Sequence, residues 1–328
     1  MPVDLSKTLV VGISATALFD LSAEDTLFRK QYEEDHENAI TIYRQAMQEK
    51  ENQELSPGTG YPLVKALLNL NRFQSEGEPP LVEVVVMSRN SPETGLRVLN
   101  SIRKRGLGVT RFAFTAGEAV VDYLDAFDVD LFLSTNVKDV QRVIDSMSCA
   151  GAVLTAPPVD PMEMSTDQVR IAFDGDAVLF SDDSELVYKT RGLEEFQKVE
   201  DLEQDKPLGE GPYASLLVKL SRLQDRLPGM VEFSPVRIAL VTARNSPAEM
   251  RVVKTLRHWG VYVDEAFFLG GVEKTKVLQA FRPHIFFDDQ DIHLEAASKL
   301  VPSGKVPYHS SSKLNKNIEA AEDGEIAS

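Results

Sequence analysis

Two carboxylates stand two residues apart at the end of an apolar run. In the segment QVRIAFDGDAVLFSDDSE, the run Val169–Phe173 leads directly into Asp174, Gly175 and Asp176. The apolar run predicts a buried strand, and functional groups in open α/β sheets collect beyond the carboxyl ends of the strands. Because Gly175 allows a sharp turn, the sequence predicts that both carboxylates converge on one point.

Other segments of the same half of the chain end in polar groups of complementary types. RIALVT ends at Thr242, HIFFDD ends at Asp288 and Asp289, and FLGGVEKTK supplies Lys274 just before a helical stretch. Carboxylates bind Mg²⁺ through oxygen, and a carboxylate can attack phosphorus to form an aspartyl-phosphate. Lysine and the N–H groups at a helix start hold phosphate oxygens. These side chains are therefore the set that phosphoryl transfer needs.

Taken together, these motifs resemble those of a known group of phosphatases. Apolar-DxDx-Val, apolar-Thr, Lys and apolar-DD, in this order, resemble the four motifs of the haloacid dehalogenase-like phosphatase superfamily. More narrowly, the blocks AFDGDAVLFSDDSE, LVTARN, KTLRHWG and RPHIFFDDQ resemble the cytosolic type-I 5′-nucleotidases. The resemblance covers roughly residues 5–310, because the first half of the chain is similar to that family too. Such long blocks are far more specific than a DxD motif alone.

The resemblance implies a catalytic role for four side chains. Asp174 would attack the phosphate, and Asp176 would protonate the departing 5′ oxygen and then activate the hydrolytic water. Thr242 would hydrogen-bond the transferring phosphoryl group, and Lys274 would neutralise its charge and that of Asp174. Lys276 is the alternative lysine, but Lys274 follows the Gly-Gly pair at the spacing of the family.

The resemblance also implies a Mg²⁺ cofactor and a set of substrate contacts. Asp288 would bind the ion together with Asp174 and Asp176, the latter through its backbone carbonyl, and Asp289 would assist. The substrate-binding residues would be Thr242, Ala243, Arg244 and Asp183. A structural role for Arg244 is equally compatible, since Arg89 occupies the same place in the first half, and Asp183 could simply begin a cap over the site.

The chain contains an internal duplication. VEVVVMSRNSP matches VRIALVTARNSP, which pairs Arg89 with Arg244 at a shift of 155 positions. AFDVDLFLSTN matches AFRPHIFFDDQ, and VVGISATALF matches RIAFDGDAVL. Because these blocks occur in one order in both halves, they indicate two copies of one unit.

The first copy is an internal control for the assigned site. On alignment, Asp174 falls on Ser14, Asp176 on Thr16, Thr242 on Met87, Lys274 on Val120, Asp288 on Ser134 and Asp289 on Thr135. Every catalytic group is replaced while the pattern of strands and helices remains. We therefore predict that the first copy is catalytically inactive and serves packing, assembly or regulation.

Strands alternating with helical stretches predict the α/β class. We predict two tandem Rossmann-like domains of the haloacid dehalogenase-like type, each with a parallel sheet flanked by helices, the second with a small helical cap insertion. The predicted bounds are 1–160 for the degenerate copy, 161–312 for the catalytic domain with its cap at about 183–235, and 313–328 for a disordered acidic tail. The Pro-rich polar loop 155–168 predicts the boundary.

Composition limits the partners and the compartment. The formal net charge of −16 argues against binding to nucleic acid or an anionic membrane surface. No apolar stretch reaches the roughly 18 residues of a membrane span, and the N-terminus lacks a signal-peptide pattern. The single cysteine, Cys149, excludes an intramolecular disulfide and fits a reducing compartment. We expect a cytoplasmic protein and, from its silent half, a homo-oligomer.

The leading hypothesis for function is a Mg²⁺-dependent 5′-nucleotidase that converts a nucleoside 5′-monophosphate, AMP-like or deoxy, to nucleoside and phosphate. One alternative is a related phosphatase of another small phosphomonoester, such as a sugar phosphate. An alternative of a different class is a nucleotide-sensing scaffold, which the inactive first half favours. The intact pair Asp174 and Asp176 counts against the scaffold, because a binding module has no need for both carboxylates.

Overall fold

The structure, a computed structural model, describes residues 4–35, 38–165, 167–229 and 234–315. Most of the acidic tail for which disorder is predicted, residues 316–328, lies outside these residues. The described start of that predicted tail is packed against the protein, since Leu314 is buried.

Ten strands of the described residues form a single mixed sheet. Their bounds are β1 (Leu9–Ile13), β2 (Val82–Ser88), β3 (Arg111–Phe114), β4 (Leu131–Ser134), β5 (Ala150–Leu154), β6 (Val169–Phe173), β7 (Val236–Thr242), β8 (Glu265–Phe268), β9 (Ile285–Asp288) and β10 (Ser303–Lys305). The central strands come from β-branched apolar runs that are buried along almost their whole length. This pattern is typical of parallel strands covered on both faces.

The strand order is β3-β2-β1-β4-β5-β10-β9-β6-β7-β8, and all neighbours are parallel except β5 and β10. The α/β class is thus confirmed, but the expectation of one parallel sheet per half is wrong, because the antiparallel β5–β10 pair joins the halves. Unpaired, each of these strands would leave an open edge of backbone N–H and C=O groups. Gly304 permits the junction, since a Cβ there would lie 2.9 Å from Ala152 Cβ.

The two halves have the same internal strand order, as the predicted duplication requires. β1 lies between β2 and β4, and β6 lies between β7 and β9. Leu9 pairs with Val82 at the start of β1, and Val169 pairs with Val236 at the start of β6. The shared register allows positions in the two halves to be equated residue by residue.

Eleven α-helices flank the sheet in the described chain. Their bounds are α1 (Ala15–Leu18), α2 (Ser22–Glu34), α3 (Ala39–Glu49), α4 (Tyr61–Asn69), α5 (Leu96–Lys104), α6 (Val137–Ser146), α7 (Asp183–Leu202, interrupted at Gly192), α8 (Ala214–Gln224), α9 (Glu249–Trp259), α10 (Thr275–Phe281) and α11 (Asp291–Ala297). Helix α4 of the first half packs on β6, and α8 of the second half packs on β1. The main hydrophobic core accordingly draws on both halves.

Each half carries an insertion within a short hairpin that follows its first strand. The hairpins are closed by an antiparallel bridge from Phe19 to Pro57 and by one from Phe180 to Glu210. The first insertion contains α2 and α3, and the second contains α7. Helix α8, which lies within the predicted cap range 183–235, instead packs on the sheet.

Candidate active site

Asp174 lies directly beyond the end of β6, where the chain makes a wide turn over Gly175–Leu179 in which Asp176 is extended and Ala177 is left-handed. The backbone N–H of Asp174 donates to the carbonyl of Phe287 at 2.8 Å, which ties the turn to β9. The N–H of Phe180 closes the turn by donating to the Gly175 carbonyl at 2.9 Å.

Lys274 lies between two carboxylates at the centre of this edge. Its Nζ is 2.7 Å from Asp174 Oδ1 and 2.6 Å from Asp288 Oδ2, and all three side chains are buried. Burial raises the pKa of Asp174 to about 6, although Lys274 opposes the shift. Burial would lower the pKa of Lys274, but the two carboxylates outweigh it and raise that pKa. Lys274 is therefore a fixed cation beside Asp174.

Asp288 and Asp289 complete an acidic cluster at the end of β9. Asp288 Oδ1 accepts from the Gln290 N–H at 2.8 Å, and Lys274 and His293 hold its pKa below the usual value despite burial. Asp289 Oδ2 accepts from the Tyr308 hydroxyl. Burial, together with nearby carboxylates, raises the pKa of Asp289 well above its usual value.

The donor set fits a divalent cation bound by oxygen. Asp174, Asp288 and Asp289 each offer a carboxylate oxygen, and these atoms lie within 4.8 Å of one another. Asp289 Oδ1 is buried and has no hydrogen-bond donor among the described residues. When all three carboxylates are ionised, their charge exceeds that of Lys274 by two, and Mg²⁺ prefers such oxygen ligands. The carboxylate of Asp176 is outside this cluster.

Thr242, the last residue of β7, faces the same turn. Its side chain is buried, and its Oγ1 accepts from the Arg244 N–H at 3.3 Å. A Cβ placed on Gly175 would lie 3.1 Å from Thr242 Oγ1, so the hydroxyl is next to the turn that carries Asp174. The ends of three parallel strands thus bring together the side chains that the sequence singled out.

Asp176 is held by an arginine rather than by the acidic cluster. Arg244 donates to Asp176 Oδ2 through Nε at 2.8 Å and to Oδ1 through Nη2 at 2.5 Å. The same guanidinium donates through Nη1 to Glu200 on α7 at 2.6 Å. Glu200 also accepts from Arg251 and Ser184 at 2.9 Å each. Arg244 thereby connects Asp176 to the inserted helix.

The remaining residues with a predicted role lie at the margin. Ala243 is exposed beside Thr242. Asp183 begins α7 and accepts from the Ser181 hydroxyl at 2.9 Å, so its position fits the start of a cap. Lys276, the alternative lysine, is exposed and faces a depression lined by Arg170 and Glu265. The structure therefore brings Lys274, and not Lys276, to Asp174.

The first half corrects one position of the sequence alignment. The register of β2 and β7 equates Thr242 with Ser88, not with Met87. Both hydroxyl oxygens accept from an N–H two residues on, that of Asn90 at 3.2 Å and that of Arg244 at 3.3 Å. Ala243 is an additional residue in the second half, and it shifts the two Arg-Asn-Ser-Pro blocks by one position. The first half therefore keeps a hydroxyl, that of Ser88, at the place of Thr242, but it keeps none of the charged groups of the site.

A second difference between the halves lies in the turn after the first strand. Phe19 N–H donates to the carbonyl of Ala15, which makes an α turn, whereas Phe180 N–H reaches Gly175 in a π turn with one more residue. In the first half, the hydroxyl of Thr16 lies 2.6 Å from that of Thr135, so hydroxyls occupy the places of carboxylates.

Sequence reasoning missed several groups that support the site. Tyr308 follows the last strand and contacts Asp289 and Glu185, and Glu200 comes from the middle of α7. His293 lies 3.2 Å from Asp288 Oδ2. The acidic stretch around Glu185 was a weak signal, but nothing in the sequence pattern connects Tyr308 or Glu200 to the strand ends.

Comparisons with known proteins identify the family to which the chain belongs. The profile of the 5′-nucleotidase family matches residues 1–313. The curated protein "Cytosolic 5′-nucleotidase 1B" from Homo sapiens is 37% identical over 300 residues, which are 90% of this chain and 48% of the relative. The chain belongs to the 5′-nucleotidase family, and it spans about half the length of that curated relative. No solved structure matches. Over the described residues, no helix has the length and apolar character needed to cross a membrane.

Proposed function

We propose that this chain is a Mg²⁺-dependent 5′-nucleotidase that hydrolyses nucleoside 5′-monophosphates through an aspartyl-phosphate on Asp174. The observation that supports it best is the buried cluster of Asp174, Asp288 and Asp289 around Lys274, with Thr242 beside the same turn. The name of the human relative, a 5′-nucleotidase, supports the choice of a nucleotide substrate over a sugar phosphate.

In the first step, a carboxylate oxygen of Asp174 attacks phosphorus and the bond from phosphorus to the 5′ oxygen breaks. Asp176, protonated, gives its proton to that departing oxygen, and the nucleoside leaves. Lys274 and Thr242 hold the non-bridging phosphoryl oxygens as charge shifts onto them. The short contact of Lys274 with Asp174 orients the nucleophile.

In the second step, Asp176, now a carboxylate, removes a proton from water. The water oxygen attacks phosphorus, the bond to Asp174 breaks, and inorganic phosphate is released. The two-point contact of Arg244 with Asp176 fixes the orientation of this carboxylate next to the turn that carries Asp174.

The proposed metal ligands are the carboxylates of Asp174, Asp288 and Asp289, with the backbone carbonyl of Asp176 as a further donor. When bound, Mg²⁺ would supply charge neutralisation for the phosphate and for the three carboxylates. Gln290, His293 and Tyr308 fix the orientation of the carboxylates of Asp288 and Asp289.

We also propose that each half is a haloacid dehalogenase-like unit, the first of them inactive, in a cytoplasmic and homo-oligomeric enzyme. The matching strand order of the halves supports the first part, and the name of the cytosolic relative supports the compartment. The bridge from Phe180 to Glu210 supports a cap of about residues 181–209, shorter than the range expected from the sequence.

The test is phosphate release from AMP, IMP, deoxynucleotides and sugar phosphates, with Mg²⁺ and with a chelator. We expect turnover of nucleotides with Mg²⁺ and a loss on the order of 10³-fold or more in Asp174→Asn. Ser14→Ala, at the equivalent position of the first half, is the matched control and should keep full activity. Preferred turnover of sugar phosphates would reverse the substrate assignment, and an active Asp174→Asn would remove the assigned nucleophile.

A further inference from the structure

A cavity of about 540 Å³ opens between the two halves, beside the candidate active site. The cavity is lined by Ala150, the first residue of β5. Because β5 is antiparallel to β10, the start of β5 lies at the same edge of the sheet as the ends of the second-half strands. The segment after β10 crosses here, and Gln141 of α6 donates to the Tyr308 carbonyl at 2.9 Å. Both halves and this segment therefore form its walls.

The cavity adjoins the phosphate chemistry without containing it. Asp174, Thr242, Lys274 and Asp288 are absent from its lining. Ala177, in the turn that follows Asp174, does line it. Tyr308 also lines it while its hydroxyl contacts Asp289. A group joined to a phosphate at the acidic cluster could thus extend into this space.

The polar lining is anionic and rich in acceptors. Its charged members are Asp130, Asp182 and Glu210, and the lining contains neither lysine nor arginine. Asp130 already lies 3.4 Å from Lys219, and Asp182 accepts from Ser312. Glu210 and Ser215 are exposed, and their side chains have no partner among the described residues. Such a lining repels anions and accepts hydrogen bonds from hydroxyl and amino groups.

The apolar lining offers a wall for a flat ring. Ile144 and Met147 from the first half face the cavity, as do Pro212, Leu216 and the ring of Tyr308. Cavities of roughly 300–1,000 Å³ with apolar walls and a few polar groups are typical small-molecule sites. An uncharged heterocycle that carries hydroxyl and amino groups satisfies both parts of the lining.

We propose that this cavity binds a nucleoside group and that the inactive first half supplies one wall of that site. The inference rests on the proposed function for the identity of the ligand, since a nucleoside is the uncharged part of the substrate and also a product. It gives the first half a direct role in substrate selection in place of a purely structural one.

The test introduces a bulky side chain into the cavity wall that the first half supplies. Ser148 is exposed and lines the cavity, whereas Ser146, two residues earlier at the end of α6, is exposed and does not. We expect Ser148→Trp to lower kcat/KM for AMP about tenfold or more, a change of about 1.4 kcal/mol, and to affect p-nitrophenyl phosphate, which has no nucleoside, far less. Ser146→Trp is the matched control and should change neither substrate.

A second measurement uses adenosine and needs no turnover, so it separates this inference from the proposed function. Titration calorimetry should show adenosine binding that is weakened in Ser148→Trp and unchanged in Ser146→Trp. Competitive inhibition of AMP hydrolysis would assign the cavity to the substrate's nucleoside, and non-competitive inhibition would assign it to free nucleoside. Equal binding by both variants, or equal losses on AMP and p-nitrophenyl phosphate, would overturn the proposal.

Discussion

Arg244 holds two carboxylates from different segments, Asp176 in the turn after β6 and Glu200 on α7. Arg251 brings a second cation to Glu200 at 2.9 Å. Removing each buried ion from water costs several kcal/mol, so such a network contributes little net stability. Its main consequence is a fixed geometry, because the planar guanidinium places Asp176 through two parallel contacts.

Replacing Arg244 should therefore impair the chemistry more than substrate binding. Lysine keeps the charge but cannot make the two-point contact, so we expect Arg244→Lys to lower kcat by about 10²-fold, within the usual range of acid–base effects. Arg89→Lys is the control, since Arg89 pairs with Asp139 in the first half and should not affect kcat. Steady-state kinetics would contradict this role if both variants kept full kcat.

The acidic cluster also predicts a dependence of metal binding on pH. Burial raises the pKa of Asp174 to about 6, above its ordinary value of 3.8. The stability that protonated Asp174 contributes to the metal-free protein is therefore present at low pH and lost as pH rises through about 6. A divalent cation needs the ionised form, so protons compete with it below that pH.

We accordingly expect Mg²⁺ to raise the Tm more at about pH 7.5 than at about pH 5, measured by differential scanning fluorimetry. Without metal, the contribution of Asp174 to the Tm should be larger at about pH 5 than at about pH 7.5, which is the opposite of the Mg²⁺ effect. Asp288→Asn should remove the Mg²⁺ effect at both values, because it deletes a proposed ligand. An equal Mg²⁺ shift at both pH values would refute this competition.

At the residue scale, the strand ends were predictable and their supporting groups were not. Asp174, Thr242 and Asp288 each follow a β-branched or apolar run, so parallel strands had to bring them to one edge. Tyr308 and Glu200 reach the site through the path of a loop and the angle of a helix. Neither of these is encoded in a local pattern.

Among the elements, the hairpin that carries the insertion depends on one close approach of backbone. Gly211 donates its N–H to the Leu179 carbonyl at 2.9 Å. A Cβ on Gly211 would lie 2.4 Å from the Phe180 carbonyl oxygen, nearer than van der Waals contact permits. The bridge from Phe180 to Glu210 then sets where α7 leaves the sheet.

Gly211→Ala should therefore open the hairpin and loosen α7. We expect a loss of about 1–3 kcal/mol in the free energy of unfolding, as for other overpacked positions, together with lower activity. Gly108→Ala is the control, since a Cβ there meets nothing within 4 Å. Chemical denaturation measures both variants, and equal stabilities would contradict the close approach.

At the element scale, the repeated blocks predicted which strands and helices correspond, but single-residue offsets escaped the alignment. The inserted Ala243 moved Thr242 onto Met87 instead of Ser88, and the extra residue of the π turn was equally hidden. A sequence alignment matches the two identical Arg-Asn-Ser-Pro blocks and therefore misplaces the residues before them by one position. The position of the inserted residue follows from the hydrogen-bonding register of the strands.

For the whole molecule, the two halves share one sheet and one main core. The β5–β10 pair joins them, α4 packs on β6, and α8 packs on β1. Lys219 of α8 also donates to the Ser6 carbonyl at 2.9 Å. Separating the two halves would expose the edges of β5 and β10 and the apolar faces of α4 and α8 at the same time. We therefore expect the two halves to unfold as one cooperative unit.

The second half expressed alone, residues 161–315, should therefore fail to unfold cooperatively and should tend to aggregate. The full chain should show a single thermal transition by circular dichroism. A soluble, cooperatively melting second half with full nucleotidase activity would show that the shared sheet is dispensable.

The single sheet was the part of the architecture that the sequence did not predict. The pairing of β5 with β10 joins residues about 150 positions apart, such as Leu154 and Gly304. A short strand such as Ser303–Lys305 carries no signal for its partner. The predicted boundary loop 155–168 lies between β5 and β6, and it connects strands of one sheet.

The most direct test of the central claim is to trap the covalent intermediate. Enzyme turning over AMP labelled in its phosphate is quenched in acid, digested, and mapped by mass spectrometry. We expect a phosphoryl group on the peptide that contains Asp174 and none in Asp174→Asn. Label on another side chain, or undiminished hydrolysis by Asp174→Asn, would contradict it.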